Sequence, residues 1–225
     1  MRLTPDTIHD SPCHLNPLGD RELDLRGLKV PEIENLGVTK DLNDTIDLSD
    51  NDLRHLHNFP LLRRLKSLLL SNNRISSLDS SLGQQLPNLT TLVLTNNSIE
   101  GLESLEPLAS LKKLTHLSLF NNPVTKNQNY RMWCIFRFPS VRFLDFTHVK
   151  DKERKAAKLL FVAPDGSQTA LAASIASVVP AKTFDAGSGL ATKAAPVAPT
   201  QALQSMSIED QQRIRASLAN AASLV

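Results

Sequence analysis

A pair of apolar residues separated by a single residue recurs along this chain at nearly constant spacing. In each pair the two side chains would lie on one face of a β-strand, because successive side chains alternate between the two faces. The second members of the pairs are 22 to 27 residues apart. A period of this length is typical of repeat proteins, in which each repeat buries its apolar face against its neighbours. The pairs are Leu23/Leu25, Ile46/Leu48, Leu68/Leu70, Leu92/Leu94, Leu117/Leu119 and Leu144/Phe146.

An asparagine follows four of these pairs, always three positions after the second member. With a further apolar residue two positions later, the repeat reads L-x-x-L-x-L-x-x-N-x-I, the leucine-rich repeat signature. We therefore predict an α/β fold, a leucine-rich repeat solenoid with a concave parallel β-sheet, N- and C-terminal caps and a flexible C-terminal tail. Because an amide both donates and accepts hydrogen bonds, we predict that the asparagines form a structural ladder between repeats. The ladder consists of Asn51, Asn73, Asn97 and Asn122.

The two end repeats depart from the signature, as expected for repeats that have one neighbour. Leu28 and Val149 stand where the first and last ladder asparagines would be. Thr4, followed by Pro5, predicts the start of a short capping helix. An aromatic-rich segment around Trp133, the single tryptophan, predicts a helix and a last short strand that cover the other end of the core. We expect an N-terminal cap over 1–20, and repeats with the C-terminal cap over 21–162.

Composition changes after residue 162. Residues 163–205 are rich in Ala, Ser, Pro and Thr and carry few charges, which predicts a flexible linker. Residues 206–225 begin with a potential N-cap, Ser207, followed by acidic residues and helically spaced apolar residues, which predicts a short amphipathic helix. Such a helix is either a docking peptide or a helix without a partner, and the sequence leaves both open.

The residues beside and between the paired leucines are predicted to line the concave face. Most are polar, but Leu69 and Val93 occupy the same position of neighbouring strands, and Phe120 lies nearby. An exposed apolar strip beside charged residues is typical of a protein interface, and a concave sheet suits an amphipathic helix with basic residues. The alternative is that isolated exposed aliphatic residues occur on any surface. The predicted partner-binding residues are Glu22, Asp24, Asp47, Leu69, Val93 and Phe120; on the last strand Phe143, Asp145 and Thr147 should point the same way.

Charge is distributed unevenly, although the formal net charge is only +2. Residues 1–100 carry 10 Lys and Arg against 14 Asp and Glu, whereas residues 101–162 carry 11 against 5. Lys150, Lys152 and Arg154 lie in a predicted helix at the basic end. These side chains are either phosphate-binding groups or one solvated helix face with internal ion pairs. Arg26, the one strongly cationic residue predicted on the concave face, is the fourth candidate for contact with an RNA backbone.

The sequence shows no arrangement typical of an enzyme or a metal site. His55 and His57 lack a third ligand nearby, and the aspartates near residue 47 do not have calcium-loop spacing. There is no glycine-rich phosphate loop, and Cys13 and Cys134 fit no metal or redox spacing. We therefore predict a non-catalytic protein without cofactors or metals. No apolar run reaches the roughly 18 residues of a membrane span, and we expect no membrane partner and no export.

The residues between the repeat positions resemble a particular family, the A-prime proteins of the spliceosomal U2 small nuclear ribonucleoprotein. The resemblance is carried by ELDLRGLKVPEIENLG (22–37), FPLLRRLKSLLLSNNRI (59–75), LEPLASLKKLTHLSLFNNPVTKNQNYR (105–131) and VRFLDFTHVKDKER (141–154), and the last helix is also similar.

This resemblance implies a nuclear adaptor in pre-mRNA splicing. It would hold a helix of an RNA-recognition-motif (RRM) protein, B-double-prime, in its concave face and help that protein bind a hairpin of U2 snRNA. Lys150, with Lys152 and Arg154, would then meet RNA phosphates, and the C-terminal helix would be free to bind other spliceosomal proteins. The alternative is a leucine-rich repeat regulatory subunit of another enzyme or a cytoskeletal complex, acting without RNA.

Overall fold

The computed structural model describes residues 2–163 and 167–177, and in this part of the chain eight strands form one sheet, in the order β1-β2-β3-β5-β7-β8-β9-β10. Strands β2, β3, β5, β7, β8 and β9 pair in parallel, one from each repeat. The elements are α1 (Pro5–Asp10), β1 (Cys13–Leu15), β2 (Arg21–Asp24), β3 (Thr45–Asp47), β4 (His55–Leu56), β5 (Ser67–Leu69), β6 (Ser77–Leu78), α2 (Leu82–Gln85), β7 (Thr91–Val93), β8 (His116–Ser118), α3 (Tyr130–Arg137), β9 (Phe143–Leu144), β10 (Thr147–His148), α4 (Asp151–Phe161) and α5 (Ala170–Ser177).

The paired apolar residues face the core, as the period predicts. From Leu23/Leu25 to Leu117/Leu119 both members of every pair are buried, because strand geometry directs them to the same side of the sheet. The return segments close each repeat with short pieces of structure: α2, the two-stranded β4–β6 sheet, and 3-10 helices at Leu36–Thr39, Glu103–Ser110 and Pro123–Lys126. Their buried leucines meet the strand leucines in one continuous core.

The four ladder asparagines are buried and bridge successive repeats. The amide nitrogen of Asn73 donates to the carbonyls of Leu48 in the preceding repeat (3.0 Å) and Leu70 in its own repeat (3.1 Å). Its oxygen accepts from the backbone N–H of Leu53 at 3.1 Å. Asn51, Asn97 and Asn122 repeat this pattern. Each amide thus pairs buried backbone groups that have left the strand ladder.

A second polar ladder, absent from the sequence prediction, runs along the surface one position before the buried one. Asn72 donates to Asp50 (2.7 Å), Asn96 to Asn72 (2.9 Å) and Asn121 to Asn96 (2.9 Å). All four residues have positive φ, between 56° and 61°. Asn and Asp tolerate this left-handed conformation best among residues with a side chain, which explains why an Asn or Asp stands beside each ladder asparagine.

The N-terminal cap contains the predicted helix and one strand that was not predicted. The hydroxyl of Thr4 accepts from the N–H of Thr7, and Pro5 opens α1. Strand β1 then pairs antiparallel with β2 through a turn in which the side-chain oxygen of Asn16 accepts from two backbone N–H groups. The antiparallel strand ends the parallel sheet at this side.

The C-terminal cap is built from α3 and α4. Trp133 meets Phe161 edge-on, with ring centroids 5.3 Å apart, and Phe136 packs on the same ring. Arg131 on α3 forms a two-bonded ion pair with Glu153 on α4, and this contact holds the pKa of Glu153 low, at about 2. The helix predicted around Lys150–Arg154 is therefore present and attached to the aromatic cap.

Two sequence predictions about the elements and their bounds are wrong. Phe146 is not a core residue of a last repeat strand but is 78% exposed, because β9 ends at Leu144 and a tight turn at residues 145–146 reverses the chain into β10. The predicted linker 163–205 also starts too early, since α5 lies within it and Ala172 is fully buried against the repeats. The rest of that linker and the predicted helix over 206–225 lie outside the described residues.

The buried ladder predicts that substitutions at two adjacent asparagines, Asn73 and Asn72, have very different effects on the stability of the protein. Asn73→Ala leaves the N–H of Leu53 and the carbonyl of Leu48 without their side-chain partner, so we expect a loss of about 2–5 kcal/mol in the free energy of unfolding, measured in urea. Asn72→Gly, which keeps the left-handed backbone, should cost less than about 1 kcal/mol. Equal losses in the two variants would contradict this assignment.

Candidate protein interface on the concave sheet

The strand register arranges the outward side chains of the sheet in rows. Pairing of Leu69 with Val93 puts these two residues side by side, as predicted. On either side of them in the same row lie Asp47 and Ser118, both buried, whereas Leu69 and Val93 are half-buried. The apolar pair is therefore the part of this row most open to solvent on the central strands.

Phe120 lies in the next row, toward the carboxyl ends of the strands. The N–H of Asn96 donates to the Phe120 carbonyl at 2.9 Å, which continues the parallel pairing beyond β8 and aligns Phe120 with Thr95. The Phe120 ring is 60% exposed. Leu69, Val93 and Phe120 thus form a diagonal line across the concave face, the apolar strip.

The last strand and the turn after it carry two further exposed aromatic rings, outside the diagonal of the apolar strip. Phe143 stacks on His116 at 4.9 Å with nearly parallel planes. Phe146 lies in the turn after β9 with φ of 63°, and Asp145 before it has φ of 49°. Two successive positive φ values are required in the tightest hairpin turns, which normally contain Asn or Gly. A phenylalanine kept in that conformation and exposed is the strongest sign of a binding role that the sequence pattern missed.

Asp145 and Thr147 were predicted to line the concave face, but they do not line it. Asp145 accepts from the hydroxyl of Tyr130 and the backbone N–H of Leu119, both at 2.7 Å, so its carboxylate serves the C-terminal cap. Thr147 belongs to β10, which runs antiparallel to the repeat strands. The prediction failed here because it continued the period of the repeat past its last regular member.

The acidic side of the concave face is largely engaged in contacts within the chain. Asp47 is buried, accepts from the N–H of Ser49 at 2.8 Å and lies 3.7 Å from Arg26. Glu22 accepts from the side chain of Asn16 at 3.0 Å, and Asp24 accepts from the N–H of Arg26. Glu22 and Asp24 remain half-buried, so they are the acidic groups that a partner would meet.

Arg26 does not lie with the other predicted RNA-binding residues. It pairs with Asp50 at 3.0 Å at the carboxyl end of the first repeat strand, and hydrogen bonds from Asn72 and Arg26 lower the pKa of Asp50. Lys150 follows β10 at the amino end of the last strand, where the N–H of Val149 donates to the carbonyl of Arg142. Because five strands lie between β2 and β10, at a spacing of about 4.8 Å per strand, the two residues occupy opposite corners of the sheet.

The remaining basic candidates differ in availability. Lys150 and Lys152 are exposed. Arg154 is half-buried and donates to the carbonyls of Pro139 (3.0 Å) and Val141 (2.6 Å), so it supports the chain before β9. Lys150 and Lys152 are therefore available to a ligand, whereas Arg154 has a structural role.

The described residues contain no group of three His, Cys, Asp or Glu side chains that could hold a metal ion. His55 instead pairs with Ser77 at 2.6 Å across β4 and β6. Both cysteines are free thiols, Cys13 exposed and Cys134 buried. Within residues 2–163 and 167–177, none of the helices has the length and apolar character of a transmembrane segment.

Comparison with known proteins gives consistent results. The leucine-rich repeat family matches residues 1–176. The U2 small nuclear ribonucleoprotein A' of Aspergillus fumigatus is 52% identical over 194 residues, covering 86% of this chain and 76% of that protein. The human U2 small nuclear ribonucleoprotein A' is 48% identical over 224 residues, covering 100% of this chain and 84% of that protein. The chain belongs to the U2 small nuclear ribonucleoprotein A' family.

A solved structure of the U2 A' family agrees with this fold. The Drosophila melanogaster SNF/U2A' complex contains a chain that is 50% identical, with a TM-score of 0.71, covering 74% of this chain and 95% of that one. The leucine-rich repeat fold and the family resemblance predicted from the sequence are thus confirmed, and the family is a non-catalytic adaptor family, as predicted.

The turn at Phe146 predicts an unusual order of stabilities. Because the left-handed conformation disfavours any residue with a β-carbon, we expect Phe146→Gly to be more stable than Phe146→Ala by about 1 kcal/mol in urea unfolding. Neither change removes much buried area. If the alanine variant were equally or more stable, residue 146 would not be held in this conformation in solution.

Proposed function

We propose that this chain is a non-catalytic adaptor of the U2 small nuclear ribonucleoprotein in pre-mRNA splicing. In this proposal it binds one helix of an RRM protein of the B-double-prime type on its concave sheet and helps that protein bind a hairpin of U2 snRNA. The observation that carries the proposal is the apolar strip on the concave sheet, in which Leu69 and Val93 are half-buried and Phe120 is exposed. Nuclear localisation follows from this role.

The chemistry of the concave face supports a helical protein partner. The apolar strip offers a place for an apolar helix face, and the exposed aromatic rings of Phe143 and Phe146 add apolar surface at the C-terminal end of the sheet. Half-exposed Glu22 and Asp24 at the other end favour basic residues on the partner. The solved relative is itself a complex of U2A' with a second protein, SNF, which supports a protein partner for this chain.

The RNA part of the proposal rests on the distribution of charge. The concave face exposes carboxylates beside its apolar strip, and phosphates avoid such a surface. Lys150 and Lys152 are exposed at the amino end of the last strands, outside the hollow. In this arrangement the RRM protein reads unstacked bases, while this chain adds contacts to the backbone. A partner for residues 206–225 is also part of the proposal.

The protein interface is tested by Leu69→Arg. An arginine in the centre of the apolar strip places a charge against an apolar helix face, so we expect at least about a 30-fold loss of affinity for the RRM partner in calorimetry. Leu61→Arg, at a 52% exposed leucine outside the concave sheet, is the matched control and should bind normally. Circular dichroism of both variants should match that of the parent chain, because Leu69 is not a core residue. Normal binding by a folded Leu69→Arg variant would rule out the concave site.

The RNA contact is tested by Lys150→Glu in the assembled protein pair. Reversal of one charge at a phosphate contact should weaken binding of a U2 snRNA hairpin about tenfold at moderate salt, without release of the RRM protein. Lys126→Glu, an exposed lysine at the other edge of the sheet, makes the same charge change and should leave the affinity nearly unchanged. Equal effects of the two variants would show that only net charge matters, and unchanged affinity at two salt concentrations would remove Lys150 from the interface.

A further inference from the structure

Each of several repeats enters its strand through a turn with two solvent-facing residues between two buried ones. In the third repeat the tip of this turn is Arg63-Arg64, in the fourth Pro87-Asn88, in the fifth Lys112-Lys113 and in the last Pro139-Ser140. The flanking residues are all buried: Leu62, Leu65, Leu86, Leu89, Leu111, Leu114, Phe138 and Val141. Since the strands are parallel, every tip lies at the amino edge of the sheet.

The stacking of repeats brings the basic tips together with residues distant in sequence. The side chain of Asn88 donates to the carbonyl of Arg63 at 2.7 Å and accepts from Lys113 at 2.6 Å, so it links the tips of two other repeats. The N–H of Arg142 donates to Thr115, two residues beyond Lys113, and Arg142 in turn accepts from Val149, next to Lys150. Five cations therefore share one edge: Arg63, Lys112, Lys113, Arg142 and Lys150, called the basic edge below.

Among the described residues, the side chains of the basic edge form no ion pairs, in contrast to the cations that continue the edge toward the N-terminus, although the carboxylates of Asp41 and Glu153 accept from the backbone N–H groups of Arg63 and Lys150. There Arg64 pairs with Asp44 at 2.9 Å and Lys66 with both Asp20 and Asp44, and these contacts hold the pKa of Asp44 low, at about 2. None of the five cations of the basic edge forms an ion pair with a carboxylate of the described chain. All five are exposed.

We propose that the basic edge binds the phosphate backbone of RNA along about 19 Å of the sheet, the distance from β5 to β10 at about 4.8 Å per strand. That length corresponds to about half a turn of a nucleic-acid duplex. Exposed Lys, Arg and Asn side chains are typical of phosphate contacts. The exposed apolar residues nearest to the basic edge are Leu61, before β5, and Phe143, in β9, so they lie toward its two ends and form no continuous apolar anchor of the kind that a protein partner would need. The inference rests on the proposed function, because it extends the contact at Lys150 into a continuous track for the RNA held by the RRM partner.

Such a track is independent of base sequence. Contacts to phosphates position a nucleic acid without reading its bases. The basic edge therefore supplies affinity and orientation for a stem, while the RRM partner supplies base recognition. Exchange of base pairs within the stem should leave the contribution of the basic edge unchanged.

The test is the salt dependence of RNA binding by fluorescence anisotropy, with the full chain in complex with its RRM partner and a U2 snRNA hairpin. The edge variant combines Lys112→Gln, Lys113→Gln and Arg142→Gln. Each lost phosphate contact lowers the slope of log affinity against log salt by about 0.7–0.9, so we expect a decrease of about two units and a loss of about tenfold or more at low salt. The control variant combines Arg54→Gln, Arg74→Gln and Lys126→Gln, three exposed cations that follow the ladder asparagines on the other side of the sheet, and it should retain the parent slope.

A second probe separates this inference from the proposed function. The full chain without its partner is titrated with a 20-base-pair RNA duplex, which we expect it to bind weakly, with the edge variant showing at least a fivefold loss. If the protein pair binds the hairpin but the edge variant keeps the parent slope of log affinity against log salt, the basic edge does not bind RNA, and the proposed function is unaffected. If the pair does not bind the hairpin, but the edge variant binds the duplex more weakly than the control variant does, the proposed function is wrong and RNA binding by the basic edge is supported. Loss of the RRM partner from the edge variant, with an unchanged slope, would show that the edge binds protein and would overturn the inference.

Discussion

The structure depends on the pairing of backbone groups at the point where each repeat leaves its strand. There the chain bends and its N–H and carbonyl groups are buried without a neighbouring strand. The side-chain amide of Asn73 satisfies carbonyls of two repeats and one N–H of the preceding repeat, and three other asparagines do the same. Because every such amide joins two turns, no repeat is complete alone. The stability of the solenoid is therefore a property of neighbouring pairs of repeats, and the caps are needed because the end repeats lack one partner.

The same constraint positions the candidate sites. Regular stacking fixes the register, and the register sorts side chains by row without regard to their distance in sequence. It brings Leu69 beside Val93 in the concave face and brings Lys113 toward Arg142 at the amino edge. One face thus collects apolar groups with a few carboxylates, while one edge collects cations. The protein helix and the RNA backbone that we propose as ligands would use these two different surfaces, and a single period produces both.

The sequence predicted the features that arise from local, repeated constraints. The paired leucines face the core and the ladder asparagines pair buried backbone groups in the repeats that carry them, so their spacing predicted the register of all six parallel strands correctly. The prediction for Phe146 was wrong because Leu144-x-Phe146 imitates a repeat pair. The turn at this point is held by hydrogen bonds that Asp145 accepts from Tyr130 and Leu119. The ion pair of Arg26 could not be read from the repeat pattern, because its partner, Asp50, belongs to the next repeat. Helix α5 was missed because its small side chains resemble a linker, and only contact with the repeats buries Ala172.

The surface ladder had a visible sign in the sequence, the doublets Asn72-Asn73, Asn96-Asn97 and Asn121-Asn122. It was missed because a hydropathy pattern does not show which residues have a left-handed backbone.

In the turns that precede the strands, the residues that pack the core are different from the residues that set the surface charge. Their flanking leucines are buried and their tip residues face solvent, so an arginine, a lysine, a proline or a serine at the tip leaves the core contacts intact. Substitution at a tip changes the electrostatic potential along the edge in steps of one charge, one repeat at a time. A solenoid built this way can acquire or lose an affinity for polyanions through a few codons, while its folding remains under the control of residues that those changes never touch.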